Sequence, residues 1–125
     1  MILQDLIRTI DGTLVTNPTD LNREIKGGFA ADLMSDVLAS IQPEAVLMTG
    51  LCNPQIVRTA QMADIAAIVL VRGKRPQAET IQLANEENVP LVSTPYGMFE
   101  VCSRLHDAGL ASLERPMESG STDSN

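Results

Sequence analysis

Seven consecutive apolar residues, Ile65-Ala-Ala-Ile-Val-Leu-Val71, decide the fold class. The run is too short to cross a membrane, which takes about twenty residues. A strand that is apolar at every position is buried on both faces, and such strands lie in the middle of parallel sheets. The run therefore predicts the central strand of an α/β domain.

On both sides of this run, short apolar stretches alternate with helical periodicity, as in successive β-α units. Residues 45–49 form the preceding predicted strand, and Asn53-Pro54 offers a cap and a first-turn proline for the helix that follows. Downstream, the pattern predicts a helix over 77–87 with Ala78, Ile81 and Ala84 inward, a strand over 89–93, and a last helix with Met98, Cys102 and Leu105 on one face, ended by Gly109. We expect a single small domain of three layers, a mostly parallel sheet flanked by helices.

The first forty residues predict two further helices. Residues 2–10 form a short amphipathic helix, and Met34, Val37, Leu38 and Ile41 keep the helical spacing of a second helix over 32–40. Residues 13–15 and 23–25 are weaker strand candidates, followed by the pair Gly27-Gly28. We assign 1–112 to the domain and 113–125 to a flexible polar tail.

Composition limits the function. The chain has 125 residues, 16 acidic and 9 basic side chains and a net charge of −7, so it repels phosphate backbones and nucleic-acid binding is not expected. Nearly half of the residues are hydrophobic, which is enough for a core without metal or disulfides. Two cysteines, and the absence of a secretory signal at the start, predict a cytoplasmic protein. We expect no cofactor and no membrane partner.

Ligands of open parallel sheets bind beyond the carboxyl ends of the strands, so the loops there hold the candidate site. Residues 72–75 carry three of the nine basic side chains in four positions, Arg72, Lys74 and Arg75 around Gly73. This loop predicts an anion site; a solvated turn is the alternative, since surface loops commonly carry Lys and Arg. The other candidate residues in these loops are Thr49, Gly50, Asn53 and Thr94.

The glycine pair Gly27-Gly28 precedes a predicted helix and could hold a phosphate or carboxylate at the positive helix end. A tight turn that needs positive φ is the alternative. Asp32, Ser35 and Asp36 lie within one helical turn, and they could face a ligand or serve as a cap and a solvent face.

Catalytic motifs are not met. The phosphate-loop pattern fits neither residues 49–54 nor the surroundings of Gly73-Lys74, and the dinucleotide glycine motif does not occur. Cys102 and His106 stand four residues apart on one helix, but Cys102 lies on the predicted buried stripe, where a thiolate is disfavoured. Cys52 could complete a three-ligand zinc site, yet no zinc-type spacing supports it.

The stretch Arg23-Glu-Ile-Lys-Gly-Gly-Phe-Ala-Ala-Asp-Leu-Met-Ser-Asp-Val-Leu38 resembles the signature of the DRTGG domain family. Residues 66–73, Pro76 with its acidic helix, 89–94 and Phe99-Glu100 extend the resemblance to about Leu110. The pentapeptide that names the family is not intact here.

The resemblance implies a compact α/β regulatory module, an accessory that helps dimerisation and in some cases lines a nucleotide site. Relatives accompany CBS-domain pyrophosphatases and phosphotransacetylases, and similar N-terminal domains occur in the serine kinase of the phosphocarrier protein HPr. Kinase activity does not carry over, because the phosphate loop is missing.

We therefore expect a non-enzymatic domain that senses a ligand and assembles, a homodimer acting on a partner enzyme in trans. A small ligand would be a nucleotide or other phosphorylated metabolite at the strand-end loops, held by arginine and backbone amides. Two alternatives stay open: a pure assembly scaffold, and a small transferase or hydrolase that uses Asp32 or Asp36 as base.

Overall fold

The computed structural model describes residues 1–114 and 116. Helices and strands follow one another in the order α1 (Leu3–Thr9), β1 (Thr13–Leu14), β2 (Gly27–Ala30), α2 (Met34–Ser40), β3 (Ala45–Thr49), α3 (Gln55–Met62), β4 (Ala67–Leu70), α4 (Ala78–Glu86), β5 (Leu91–Ser93) and α5 (Met98–Asp107). None of the helices within this part of the chain has the length and apolar character needed to span a bilayer.

The five strands form one sheet in the order β1-β5-β4-β3-β2. The four strands from β2 to β5 run parallel, and the short β1 pairs antiparallel with β5 through Thr13 and Leu14. The predicted central strand, β4, lies between β3 and β5, and all of its residues are buried. The carboxyl ends of β2 to β5 consequently meet at one edge of the sheet.

Helices cover both faces of the sheet. On one face, α2, α3 and α4 pack against side chains such as Leu47, Ile68 and Leu91. On the other face, α1 and α5 pack against Val46, Val69 and their neighbours. Alternate residues of each strand face opposite helical layers. Because both faces of the sheet are covered, apolar residues are needed at every position of the inner strands. The expected three-layer α/β domain with a mostly parallel sheet is confirmed.

Four of the helices end in the same way. The residue after the C-cap of α1, α3, α4 and α5 has positive φ: Asp11, Asp64, Asn88 and Gly109 respectively. The next amide then donates to the carbonyl five residues back, as Ile65 does to Ala60 at 2.9 Å. This bond satisfies a helix carbonyl that would otherwise lack a partner. Short polar side chains tolerate this left-handed conformation better than others do.

The outer edge of β2 is covered by residues 110–114, which we call the strap. Gly28 N donates to Ala111 O at 2.8 Å, and Leu113 N donates to Gly28 O at 3.0 Å. A Cβ on Gly27 would lie 2.6 Å from Leu113 Cγ and 2.7 Å from Ala111 O. The absence of a side chain at Gly27 is therefore what lets the strap lie against the strand.

The glycine pair was predicted to form a turn, and this prediction is wrong. Both glycines lie inside β2 with extended backbone, and they pair with Ala45 and Val46 at the start of β3. The predicted strand over 23–25 is likewise wrong, since there only Glu24 makes an isolated bridge, to Ile2.

Three other local predictions need correction. Ala78 was expected to face inward but is exposed, while Thr80 of the same helix is buried. Leu38, assigned to the apolar face of α2, is 45% exposed. The strap extends ordered contacts to Leu113 and Glu114, two residues into the predicted tail, whereas 115 and 117–125 lie outside the described residues.

Candidate functional site

Asp32 joins the ends of β2 and β3 at the carboxyl edge of the sheet. Its Oδ1 atom accepts one hydrogen bond from Thr49 Oγ1 at 2.9 Å and another from Gly50 N at 2.7 Å. Thr49 is fully buried, whereas Asp32 is exposed. The carboxylate therefore satisfies a buried hydroxyl and a loop amide, and it fixes the start of the loop after β3.

The loop after β4, residues 72–75, is held in an unusual backbone conformation. Arg72 and Gly73 both have positive φ, 64° and 65°. Their amides donate to Tyr96 O and Thr94 O, each at 2.7 Å, so the loop is tied to the one after β5. The side chains of Arg72, Lys74 and Arg75 are all exposed. We call residues 72–75 the cationic loop.

The loop after β3, residues 50–53, is tied to the start of α4. Cys52 O accepts hydrogen bonds from Thr80 Oγ1 at 2.7 Å and from Gln77 N at 3.1 Å. Asn53 Oδ1 accepts from Gln55 N at 3.1 Å and so organises the first turn of α3. The amides of Cys52 and Asn53 donate to no acceptor among the residues that the structure describes. They are the amides of this loop that remain open to a ligand.

Lys74 lies close enough to Cys52 to influence its thiol. Burial raises the pKa of the Cys52 thiol above its ordinary value, and the positive charge of Lys74 partly opposes that rise. The thiol is consequently protonated at neutral pH and is a poor nucleophile. The loop after β3 and the cationic loop follow parallel neighbouring strands, β3 and β4, so both lie at the carboxyl edge of the sheet.

Most of the candidate residues do meet at this edge: Asp32, Thr49, Gly50, Asn53, Arg72, Gly73 and Thr94. Gly27 and Gly28 do not, because they lie at the opposite end of β2. Ser35 and Asp36 are exposed in the first turn of α2, which begins at Met34 rather than Asp32.

The backbone amides of the candidate residues Gly50 and Gly73 both donate within the protein, so they are not available to an anion. The hydroxyl of Thr94 is likewise unavailable to a ligand, since it is buried and donates to Ile10 O at 2.6 Å. Affinity for an anion at this edge would therefore come from the exposed cations and from the amides of Cys52 and Asn53.

A second polar cluster lies next to this edge and was not predicted from the sequence. The hydroxyl of Tyr96 donates to Asp11 Oδ2, and the guanidinium of Arg104 lies 4.1 Å from the centre of the Tyr96 ring. Arg104 Nε also donates to Glu100 Oε2 at 2.8 Å. The Glu100–Arg104 spacing is visible in the sequence, but the partner Asp11 lies at the other end of the chain and carries no local signal.

The Cys102–His106 pair lies away from this edge. Cys102 is half-buried on α5, and burial raises the pKa of its thiol, which disfavours a thiolate. Both residues line a largely apolar hollow of about 210 Å³ between β2 and α5. No group of three or more potential metal ligands comes together among residues 1–114.

Comparison with known proteins gives a consistent result. The family model of the DRTGG domain matches residues 5–108. No curated protein matches the chain. Among solved structures, the chain resembles the CBS and DRTGG domains of the regulatory region of a Clostridium perfringens pyrophosphatase complexed with its activator, diadenosine tetraphosphate, with a TM-score of 0.68 and 15% identity.

That alignment covers 83% of this chain and 45% of the pyrophosphatase chain, so this chain corresponds to less than half of that regulatory region. At 15% identity the likeness establishes the fold alone. The family match, in contrast, extends from α1 to the end of α5. The chain therefore belongs to the DRTGG domain family.

Proposed function

We propose that this domain is a non-catalytic regulatory module that binds a phosphorylated ligand, a nucleotide or a related metabolite, at the carboxyl edge of its sheet. The observation that carries the proposal is the cationic loop. It presents three exposed cations in four residues of a chain whose net charge is −7. Arg72 itself is held in the left-handed region, where a non-glycine residue is strained.

Strain of this kind costs on the order of 1–3 kcal/mol and persists where the surroundings enforce it. Here the amides of Arg72 and Gly73 enforce it through their bonds to Tyr96 O and Thr94 O. The backbone of the loop is therefore fixed before any ligand arrives, which lowers the entropy cost of binding. Guanidinium and ammonium groups are the usual partners of phosphate oxygens.

The neighbouring loop adds donors at the same edge. The open amides of Cys52 and Asn53 lie before the start of α3, in the loop after β3, and β3 is the parallel neighbour of the strand that carries the cationic loop. Backbone amides at the start of a helix bind anions favourably. We infer that the ligand lies between residues 50–53 and the cationic loop.

The regulatory role is supported by the family and by the solved relative. That relative is a regulatory region, and it was crystallised with a dinucleotide activator. We propose that this chain likewise transmits ligand binding to a partner enzyme, which it contacts in trans. A cytoplasmic location stays a prediction.

A thermal-shift screen tests the ligand proposal. The panel is ATP, AMP, diadenosine tetraphosphate and inorganic phosphate. A ligand at one hundred times its Kd adds about 2.7 kcal/mol of stability, which raises the Tm of a domain of this size by several degrees. Arg72→Gln should abolish the shift, and Arg8→Gln, an equal charge change on the exposed side of α1, should keep it. The absence of any shift with the parent protein would refute the proposal.

Assembly without a ligand is the second candidate. Leu33 and Leu38, on or next to α2, are 61% and 45% exposed, and exposed apolar residues that form one continuous patch mark protein contacts. A homodimer would have twice the mass of the 13.5 kDa chain by light scattering. Leu38→Glu should return it to a monomer, and a monomer already in the parent protein would rule out the homodimer.

The hydrolase or transferase alternative rests on Asp32 or Asp36. Asp32 Oδ1 already accepts two internal hydrogen bonds, a structural role that leaves it poorly placed to take up a substrate proton. Any turnover found should survive Asp32→Asn combined with Asp36→Asn. Loss of turnover in that double variant would support the hypothesis that Asp32 or Asp36 acts as a catalytic base.

A further inference from the structure

Phe99 is the most exposed of the large apolar side chains in the described part of the chain. It lies in the first turn of α5, with 88% of its surface accessible to solvent. It belongs to neither hydrophobic cluster, so the fold gains little from it. A phenyl ring left in water is a feature that packing does not explain.

The backbone just before Phe99 contacts the cationic loop. Arg72 N donates to Tyr96 O at 2.7 Å, and Arg72 Cγ lies 3.8 Å from the position that a Cβ on Gly97 would take. Phe99 follows Gly97 by two residues. An exposed aromatic face and exposed cations therefore emerge from adjoining backbone at the same edge of the sheet.

The other two rings of the chain are not available for stacking. Phe29 is buried in the core. The ring of Tyr96 is already covered by the Arg104 guanidinium, and its hydroxyl donates to Asp11. Phe99 is thus the aromatic face that the fold leaves open.

We infer that the phosphorylated ligand is a nucleotide whose base stacks on Phe99 while its phosphates contact Arg72 and Lys74. The inference rests on the proposed function and adds to it the class of ligand and the residue that recognises the base. Aromatic side chains stack on bases of any sequence because every base has a π face. A phosphate without a base would use the cations alone.

The test uses two probes, the fluorescent analogue etheno-ATP and inorganic tripolyphosphate. The chain has no tryptophan, so the fluorescence of the analogue can be followed without that background. Phe99→Ala should weaken etheno-ATP binding by about 5- to 150-fold, the range that loss of one base–aromatic stack produces. Tripolyphosphate binding, measured by calorimetry, should be unchanged.

Phe99→Tyr keeps the ring and should restore etheno-ATP binding. Met62→Ala removes an exposed apolar side chain from the last turn of α3, at the opposite end of that helix from this edge, and should leave both probes unaffected. Since Phe99 is on the surface, none of these variants removes a core contact.

The outcomes separate this inference from the proposed function. If Arg72→Gln weakens etheno-ATP binding but Phe99→Ala does not, stacking on Phe99 is refuted while the anion site stands. If Phe99→Ala instead changes only the oligomeric state, the ring is a protein contact and the inference is again refuted. If neither probe binds the parent protein at millimolar concentration, both proposals fail.

Discussion

The hydroxyl of Thr49 donates a 2.9 Å hydrogen bond to Asp32 Oδ1, and this bond ties the end of an inner strand to the segment that leaves its neighbour. Thr49 is fully buried and Asp32 is exposed. A buried hydroxyl left without a hydrogen-bond partner costs more free energy than an exposed carboxylate left without one, because the carboxylate can bond to water instead. The two residues should therefore respond differently to substitution.

Asp32→Ala should lower the free energy of unfolding by about 1–3 kcal/mol, because it leaves the buried Thr49 hydroxyl without its acceptor. Asp36→Ala is the matched control, since this carboxylate is exposed in the first turn of α2 and should change stability by about 0.5 kcal/mol. Urea denaturation measures both. Equal losses in the two variants would show that the Asp32–Thr49 bond does not stabilise the edge.

Gly27→Ala should destabilise the protein by about 1–3 kcal/mol, the usual cost of overpacking. The added Cβ would lie 2.6 Å from Leu113 Cγ and 2.7 Å from the backbone oxygen of Ala111, so the strap must move. Gly50→Ala is the control, because its Cβ would meet Asp32 Oδ1 at an ordinary 3.6 Å. Thermal unfolding of both variants gives the comparison, and a neutral Gly27→Ala would contradict the strap packing.

Thr94→Val preserves shape but removes the hydroxyl that donates to Ile10 O at 2.6 Å and accepts from Tyr96 N at 3.3 Å. Since Thr94 is buried, we expect a loss of about 1–3 kcal/mol. The same change at the exposed Thr13 of β1 should be neutral or slightly stabilising, because valine suits strands. Chemical denaturation that ranks the two variants the other way would count against this bond.

The single tyrosine can be titrated spectroscopically without interference. The hydrogen bond from its hydroxyl to Asp11 raises the pKa of Tyr96 above its ordinary value, and the Arg104 charge partly lowers it. Asp11→Asn should therefore lower the measured pKa, and Arg104→Gln should raise it further. Absorbance near 295 nm follows the phenolate, and shifts of the same sign in both variants would refute the arrangement.

The raised pKa of Tyr96 also makes the stability of the fold depend on pH in the alkaline range. The pKa of Tyr96 in the folded state lies above the unfolded value of about 10, so folding favours the protonated phenol. Its contribution is fully present below pH about 10 and is lost as the pH rises through the folded-state pKa. Asp11→Asn should reduce this alkaline sensitivity.

The parallel core could be predicted because strong local patterns agree with tertiary burial. The predicted strand over 45–49 matches β3, and the run over 65–71 contains β4. Apolar residues at every position leave few alternatives to a doubly covered strand. The helix over 77–87 was also predicted, with Ala84 correctly buried. Ala78 was wrongly placed inward, whereas Thr80 is buried and donates to Cys52 O, a bond that no apolar pattern reveals.

The glycine pair shows why the rest could not be predicted. A glycine can be needed because the backbone has positive φ or because another segment packs closely against it, and the local sequence does not distinguish these two cases. Here it serves close approach to residues 111–113, which lie far along the chain. Among the described residues, five of the seven positions with positive φ are not glycine: Asp11, Glu44, Asp64, Arg72 and Asn88. Residues 72–75 form the loop after β4, as predicted, but the bonds that occupy the Gly50, Gly73 and Thr94 donors depend on tertiary contacts.

The strap also prevents the outer edge of β2 from pairing with a strand of another molecule. An unpaired outer strand invites pairing with another chain, and native proteins avoid this by covering such edges. Residues 110–114 give β2 that cover, and they are joined to α5 by the left-handed turn at Gly109. Weakening the cover should favour exchange of segments between molecules and concentration-dependent aggregation during refolding.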